Sequence, residues 1–475
     1  MNPGLDRRQF LQRLAAVGLL AVPSAAALSA CATGGGGTAA PAATGGGAKS
    51  ATNPFGVTAD APLDVVVFKG GYGDDYAKAH EAMYNKTFPN SKITHTASTQ
   101  IGQELQPRFV AGNPPDVFDD SGAQQIPYNT LVSANQLADL GPLLDAPSVD
   151  DPNVKVRDTL LPGVVDQGTF GGKFLALNYV YAAFPVWYSK PLFDKNGWTP
   201  PTTWDEMLAL SEKIKAAGIA PFAYGGTNAS DYLLDLNLGA AVKQGGIDVI
   251  KAIDNLEPNA WKQAPIVTAT KGIEEMVKKG YFMAGSEGLK HTEAQTAWVQ
   301  GKAAFYVSGS WLENEMKDIS PPDFTMTAAP IPTLDASSKM PASTIRTQAG
   351  EAFMVPAKAK NVAGGLEYLR IMLSKDGAGK FADLTASTPS IKGSTDKVTK
   401  KTPALASISD KLTAAGDNVF NWHFREWYTA FAPGPVVTEM TNLLTGRYTA
   451  DDFLNKMQAI ADKVAADPSV PKYKR

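Results

Sequence analysis

Apolar residues fall into two periods along this chain. Short runs rich in Val, Phe, Tyr and Ala predict strands: "LDVVVFKG" (63–70), "PDVFDD" (115–120), "APFAYGG" (220–226), "KAAFYVSGS" (302–310) and "EAFMVPA" (351–357). Each is bounded by Gly, Asp or Pro, which punctuate strands. Segments of helical spacing lie between them. The best marked is "TTWDEMLALSEKIKAAG" (202–218), where Thr203 and Glu206 form a capping box, Trp204, Met207, Leu208 and Ile214 share one apolar face, and Gly218 closes the end. Strands alternating with helices predict an α/β chain with parallel sheets, whose ligand crevices lie beyond the strand carboxyl ends. No repeat of solenoid or propeller length interrupts this alternation.

The N-terminus has another pattern. Arg7 and Arg8 precede an apolar run, Leu14 to Val22, that is too short and too Ala-rich to span a bilayer, so residues 1–30 read as an export signal. "DRRQFLQRL" resembles a twin-arginine signal, with Asp6 in place of the commoner Ser or Thr and Gln12 in place of Lys. "LSAC" (28–31) resembles the lipobox of bacterial lipoproteins, and Cys31, the only cysteine in 475 residues, is expected to carry a diacylglyceryl group. Two acyl chains suffice for durable anchoring, since each buried methylene contributes about 0.8 kcal/mol and one chain holds only marginally. From Ala32 to about Asn53 the composition is nearly all Gly, Ala, Ser and Thr, so residues 31–58 are expected to form a flexible tether. Its mean reach is roughly 25 Å. These features place the protein on the extracellular face of the cytoplasmic membrane, lipid-anchored at Cys31 and exported by the twin-arginine route.

Composition narrows the function. Hydrophobic content of 44% and a net charge of −3 describe a globular chain large enough for two lobes. With 44 Lys and Arg against 47 Asp and Glu and no RNA-reading motif, nucleic acid is not an expected partner. Eight Trp and fifteen Tyr stand out, many of them in loops after strands, where ring faces can meet a ligand. The chain has no Walker loop, no G-x-S-x-G and no H-E-x-x-H, and "GGYGDDY" (70–76) lacks phosphate-loop spacing. His80, His95, His291 and His423 are scattered, so neither a metal nor a cofactor is expected.

Six further stretches occur in a telling order: "AGNPPDVF" (111–118), "GKFLALNYVYAAFPVWYSKPLFDKNGW" (172–198), "PPTTWDEM" (200–207), "GKAAFYVSGSWL" (301–312), "APIPTLD" (329–335) and "EAFMVPAKAKNVAGGLEYLRIMLSKDG" (351–377). As a set they resemble the family 1 extracellular solute-binding proteins of carbohydrate ABC importers, with Ser189 where "WYSK" usually has Asn. Signal, lipobox and body together resemble most the lipoproteins that bind N-acetylglucosamine and N,N′-diacetylchitobiose. The resemblance implies a two-lobe α/β fold of the periplasmic-binding-protein type, with segment exchange between lobes and sugar in a hinged interlobe cleft. Lobe 1 would take 59–180 and 328–390, and lobe 2 would take 181–327 and 391–475, with linking strands near Asn178, Ala328 and Pro389. It implies a non-enzymatic monomer that delivers N-acetylglucosamine, diacetylchitobiose or short chitooligosaccharides to ABC importer permease subunits. Maltose, cellobiose or xylobiose are alternative ligands.

A sugar site stacks aromatic rings on C–H faces and aims planar polar groups at hydroxyl edges. Trp311 in "GSWL" aligns with a tryptophan that sugar binders of the family place in the cleft, and helix-start packing is its other reading. Tyr232, Asn228 and Asp231 in "GTNASDYLLD" follow a strand end, as ligand contacts or as packing and caps for the next helix. Tyr72, Asp119, Asp120, Ser121 and Glu351 are candidates from lobe 1, about half expected to touch sugar. In "NWHFREWY" (421–428), Trp422, Arg425 and Trp427 are candidates. One of the two tryptophans is expected to be core, since on a helix they point in different directions. Trp187 and Trp204 read as structural. A surface-anchored glycosidase is the competing class, with Asp120 and Glu351 as its carboxylates.

Overall fold

The computed structural model describes residues 46–475 apart from 71, 123, 124 and 400. The signal segment, Cys31 and the tether as far as residue 45 lie outside the described residues. In chain order the strands are β1 (Leu63–Phe68), β2 (Ile93–Ser98), β3 (Val117–Asp119), β4 (Thr169–Phe170), β5 (Lys173–Phe174), β6 (Leu177–Ala183), β7 (Val186–Ser189), β8 (Ala220–Ala223), β9 (Ala303–Val307), β10 (Met326–Ala329), β11 (Ile345–Met354) and β12 (Val419–Phe420). All five runs expected as strands form one. β4 and β5 make a small separate hairpin.

Two larger sheets organise the molecule. The first runs β12-β11-β3-β1-β2, with β6 also paired to β11; the second runs β10-β7-β9-β8. Val65, Val66 and Val67 of β1 are all fully buried, because β1 is central and covered on both faces, which explains its unbroken apolar run. Helices Asp75–Thr87, Val362–Met372 and Lys375–Thr385 bury Tyr76, Tyr84, Leu366, Tyr368 and Phe381 in one core with Leu63, Val65, Val117, Tyr179 and Phe353. The second core gathers Phe222, Phe305 and Val307 with Trp204, Met207, Ile273, Phe431 and Phe453. Each such side chain contributes about 1.5–3 kcal/mol on burial. The result is a two-lobe α/β fold.

Neither sheet is purely parallel, which corrects the expectation from element alternation. β1 lies parallel to β2 and β3, but β11 is antiparallel to β3 and β6, and β7 is antiparallel to β9 and β10. The reason is exchange between sheets. β6 and β7 belong to different sheets and are joined by Phe184 and Pro185, while β10 and β11 are joined through residues 330–344. A strand arriving from the other sheet needs no helical crossover, so it is free to pair antiparallel. In the second connection Ile331 and Leu334 sit in the second core, and Lys243 Nζ donates to the carbonyls of Ile331 and Ala342 at 2.5 and 2.6 Å.

The expected tether is shorter than 31–58. Phe55 and Val57 are buried in the first core, Asn53 Nδ2 donates to the Val57 carbonyl at 2.9 Å, and Arg370 Nη2 donates to the Thr52 carbonyl at 3.3 Å. Two apolar side chains are enough to dock this stretch. No helix among the described residues is long and apolar enough to cross a membrane.

Candidate functional site

From the first sheet, β1 leads to Tyr72, β3 ends in Asp119 and runs into Asp120 and Ser121, and β11 carries Glu351. Asp119 is fully buried. Its Oδ1 accepts from the Ser121 hydroxyl and its Oδ2 from Tyr76 Oη at 3.4 Å, while Ser121 Oγ also accepts the Ala352 N–H at 3.1 Å. Glu351 has φ +53°, a left-handed conformation unusual for a residue with a side chain. Pairing of β11 with β6 skips this residue, between Gly350↔Val180 and Ala352↔Asn178. Its carboxyl meets Ser121 and Asp119. Burial first, then the Glu351 charge, raise Asp119 well above the usual carboxylate range, and burial raises Glu351. Two carboxyls in contact retain a proton between them, so the pair can donate as well as accept.

From the second sheet, Phe184 lies on the connection to β7 and Trp311 follows β9. The two rings meet edge to face at 5.4 Å, and Tyr232 meets Trp311 edge to face at 6.1 Å. Trp311 and Tyr232 are half-buried, so parts of both rings remain accessible. Phe184 is fixed by Arg346, whose guanidinium carbon lies 3.8 Å from the Phe184 ring and 3.6 Å from that of Trp422. Arg346 Nη1 donates to Asp235 at 2.9 Å, a carboxyl that burial pushes up to about 6 against the pull of this arginine.

Several contacts join the two sides. Burial and the Glu351 charge raise the Tyr72 phenol, Ser387 is its hydrogen-bond partner, and the charge of Glu315 acts on it from the helix after Trp311. His423 Nε2 lies 3.4 Å from Asp166 Oδ2, and Gln348 of β11 donates to Glu426 at 2.9 Å. Burial raises the Tyr128 phenol, and the charges of Asp120, Asp119, Glu351 and Glu426 act in the same direction. The aromatic group of Trp311, Phe184 and Tyr232 and the carboxyl pair Asp119–Glu351 thus belong to the two sides that these contacts join, and such residue types can hold a hydroxylated ring by its faces and its edges.

The other candidates divide by position. Asp231 is buried and paired to Arg425 at 2.6 Å; burial still raises its carboxyl against that arginine. Asn228 is exposed, and its amide is engaged by His291, whose N–H it accepts at 2.9 Å at the start of helix His291–Val299. Asp120 is fully buried, accepting the Ile126 N–H at 2.9 Å, and burial pushes it up to about 7. Trp422 takes the core position beneath Arg346, whereas Trp427 is half-buried and stacks on His423 at 4.9 Å and 15°. Trp187 and Trp204 are buried, as expected, and so are Trp261 and Trp298. Most of the aromatic excess thus serves the cores and not the loops. Sequence reading missed Phe184, Arg346, Tyr128 and Glu315. Only Arg346 left a trace, a lone cation inside the strand run "TIRTQAG".

The family of bacterial extracellular solute-binding proteins matches residues 69–379. The diacetylchitobiose binding protein NgcE of Streptomyces coelicolor is 38% identical over 99% of this chain and 98% of that protein. Among solved structures, ligand-free RafE from Streptococcus pneumoniae aligns with a TM-score of 0.69 and 20% identity, covering 86% of this chain and 98% of that one. A chitin oligosaccharide binding protein aligns with a TM-score of 0.59 and 22% identity, over 82% of this chain and 93% of that one. The structural likenesses bear on the fold alone.

Proposed function

Since the chain belongs to the bacterial extracellular solute-binding proteins, we propose that it is the sugar-capturing component of a carbohydrate ABC importer, taking N,N′-diacetylchitobiose, N-acetylglucosamine or short chitooligosaccharides into the cleft and delivering them to permease subunits. The observation that carries this reading is near full-length identity of 38% to a diacetylchitobiose binding protein. The cleft supports it physically. The partly accessible rings of Trp311 and Tyr232 suit pyranose C–H surfaces, and the half-buried Tyr72 and Glu351 suit its edges, with Phe184 behind the first pair and Asp119 and Ser121 buried behind the second. An acetamido group adds a carbonyl, an N–H and a methyl, for which the protonated carboxyl pair, a free carboxylate oxygen and the Trp311 ring are suitable partners.

No catalysis is part of this reading. Glycosidase carboxylates stand about 5–9.5 Å apart to admit a sugar or water, whereas Asp119 and Glu351 are in hydrogen-bond contact and Asp120 is wholly buried. The lobes are assigned as 59–180 with 328–390 and 181–327 with 391–475, the limits moving to the sheet exchanges at 184–185 and 330–344, which act as hinges. The protein works as a monomer, exported by the twin-arginine route and anchored through Cys31.

Titration calorimetry with a sugar panel tests the reading. Diacetylchitobiose is expected to bind with micromolar or tighter Kd, about −8 kcal/mol or better. Cellobiose and maltose leave acetamido partners unpaired at about 1–3 kcal/mol each and should bind at least about tenfold more weakly. Equal affinity for cellobiose or maltose overturns the ligand assignment; release of monosaccharide from diacetylchitobiose overturns the non-enzymatic one.

A further inference from the structure

Segment 421–428 touches both sides of the cleft: His423 reaches Asp166, Glu426 takes the Gln348 amide, and Arg425 pairs with Asp231. Its backbone is held from behind. Asp254, fully buried at the end of helix Asp248–Asp254, accepts the N–H groups of His423 and Phe424 through one oxygen, both at 2.8 Å. Its second oxygen lies 2.8 Å from Arg475 Nη2, and the same nitrogen donates to the Asn421 carbonyl at 2.7 Å. Arg475 is itself fixed by Asn255, which accepts its N–H at 2.9 Å and donates to its carbonyl at 3.1 Å. Nearby, Tyr473 packs on Trp427 at 5.3 Å.

A buried ionised carboxylate persists only when it is paired and hydrogen-bonded. Arg475 supplies that charge, and Asp254 converts it into a fixed direction for two consecutive N–H groups. Those groups begin the short turn Phe424–Trp427, which sets where the His423 and Trp427 rings stack.

We propose that Arg475 is a positioning residue for sugar capture: through Asp254 it fixes the backbone at His423 and Phe424, and so places the stacked His423–Trp427 pair as one rim of the cleft, within reach of Asp166. This rests on the sugar-capture reading above. Arg475 itself touches no sugar; its effect passes through the buried carboxylate.

Two measurements on the full chain test it. Arg475→Met is expected to raise the calorimetric Kd for N,N′-diacetylchitobiose by about fivefold or more. Arg475→Lys, which keeps the charge, should recover most of the affinity. In the absence of sugar, amide hydrogen exchange at 421–428 should quicken in Arg475→Met while β1 and β9 keep wild-type protection. Wild-type affinity in Arg475→Met, or unchanged exchange at 421–428, overturns the proposal. Should Arg475→Met fail to fold, the double variant Asp254→Asn/Arg475→Met removes the buried charge yet keeps an amide oxygen for the two N–H groups. Intermediate protection at 421–428 in that variant supports the proposal, and wild-type protection overturns it. If the wild-type chain does not bind diacetylchitobiose, the sugar reading falls by itself, and the exchange measurement still decides the role of Arg475.

Discussion

Trp311 is flanked by Phe184 and Tyr232, so its ring is oriented before any ligand arrives. Pre-orientation lowers the entropy lost on binding, which makes this ring the strongest single contributor expected on the aromatic wall. Trp311→Ala should weaken diacetylchitobiose binding by roughly 1–3 kcal/mol in calorimetry, with the fold retained. An unchanged Kd would place the aromatic wall elsewhere. Asp120 makes a different prediction, about stability. Burial pushes its folded pKa up to about 7 from the ordinary 3.8. Below pH 4 the carboxyl is protonated in both folded and unfolded chains. As pH rises from about 4 to 7 the unfolded chain ionises first, so this group's stabilising contribution is lost across that window. Asp120→Asn keeps an oxygen for the Ile126 N–H and removes the titration. At pH 8 the variant should be more stable than wild type by about 4 kcal/mol, read as a higher Tm, and the gap should close towards pH 4. A gap that widens on acidification would contradict the assignment. Trp311 was singled out through the family resemblance of "GSWL" and Tyr232 through its place after a strand end; Phe184 was not, because within "YVYAAFPVW" it looks like any other strand residue.

At the scale of elements, helix Trp204–Ala216 shows how much a local signal carries. Thr203 Oγ1 accepts the Glu206 N–H at 3.3 Å, and Glu206 Oε2 accepts the Thr203 N–H at 3.2 Å, so both arms of the capping box are made. Thr203→Ala should cost about 1 kcal/mol, read as a lowered Tm with sugar affinity unchanged. A loss of affinity at constant Tm would tie this helix to the cleft instead. The box was visible in the sequence because its partners are three residues apart. β2, "ITHTAS", escaped notice, since it is largely polar and only partly buried at the sheet edge. Sheet direction escaped too. Alternation of strands and helices says that a parallel sheet is available, but strand β11 joins the first sheet after a passage through the second.

At the scale of the whole molecule, the proposed capture of sugar implies closure of the two lobes around it. A sugar that touches both lobes favours the closed arrangement by its differential affinity, and the backbone change is expected at the three passages between the assigned lobes, at 184–185, at 330–344 and near 390. Small-angle scattering should report a smaller radius of gyration at saturating diacetylchitobiose; an unchanged radius would mean a cleft already closed or a site on one lobe. The proposed anchoring is expected to be independent of this motion. Cys31→Ala should abolish lipid labelling and block cleavage before that residue, while protein beginning near residue 46, where the described structure starts, should bind sugar as the full chain does. Labelled, normally cleaved Cys31→Ala protein would remove the anchor from the account.

The sequence by itself carries the motifs on which export and anchoring are proposed, and it determined the strands that run continuously apolar, the best capped helix and the family, because each of these is written in residues close together or in an ordered series of short motifs. Tertiary structure alone decided which candidates come into contact. Asp119 and Glu351 meet only because β3 and β11 pair, Trp422 and Trp427 separate into core and rim only because Arg346 stacks on one and His423 on the other, and Arg475 reaches the cleft's rim only through Asp254. Such contacts join residues far apart in the chain. No local period encodes them, since they come into being when the two cores close and buried charges must find partners.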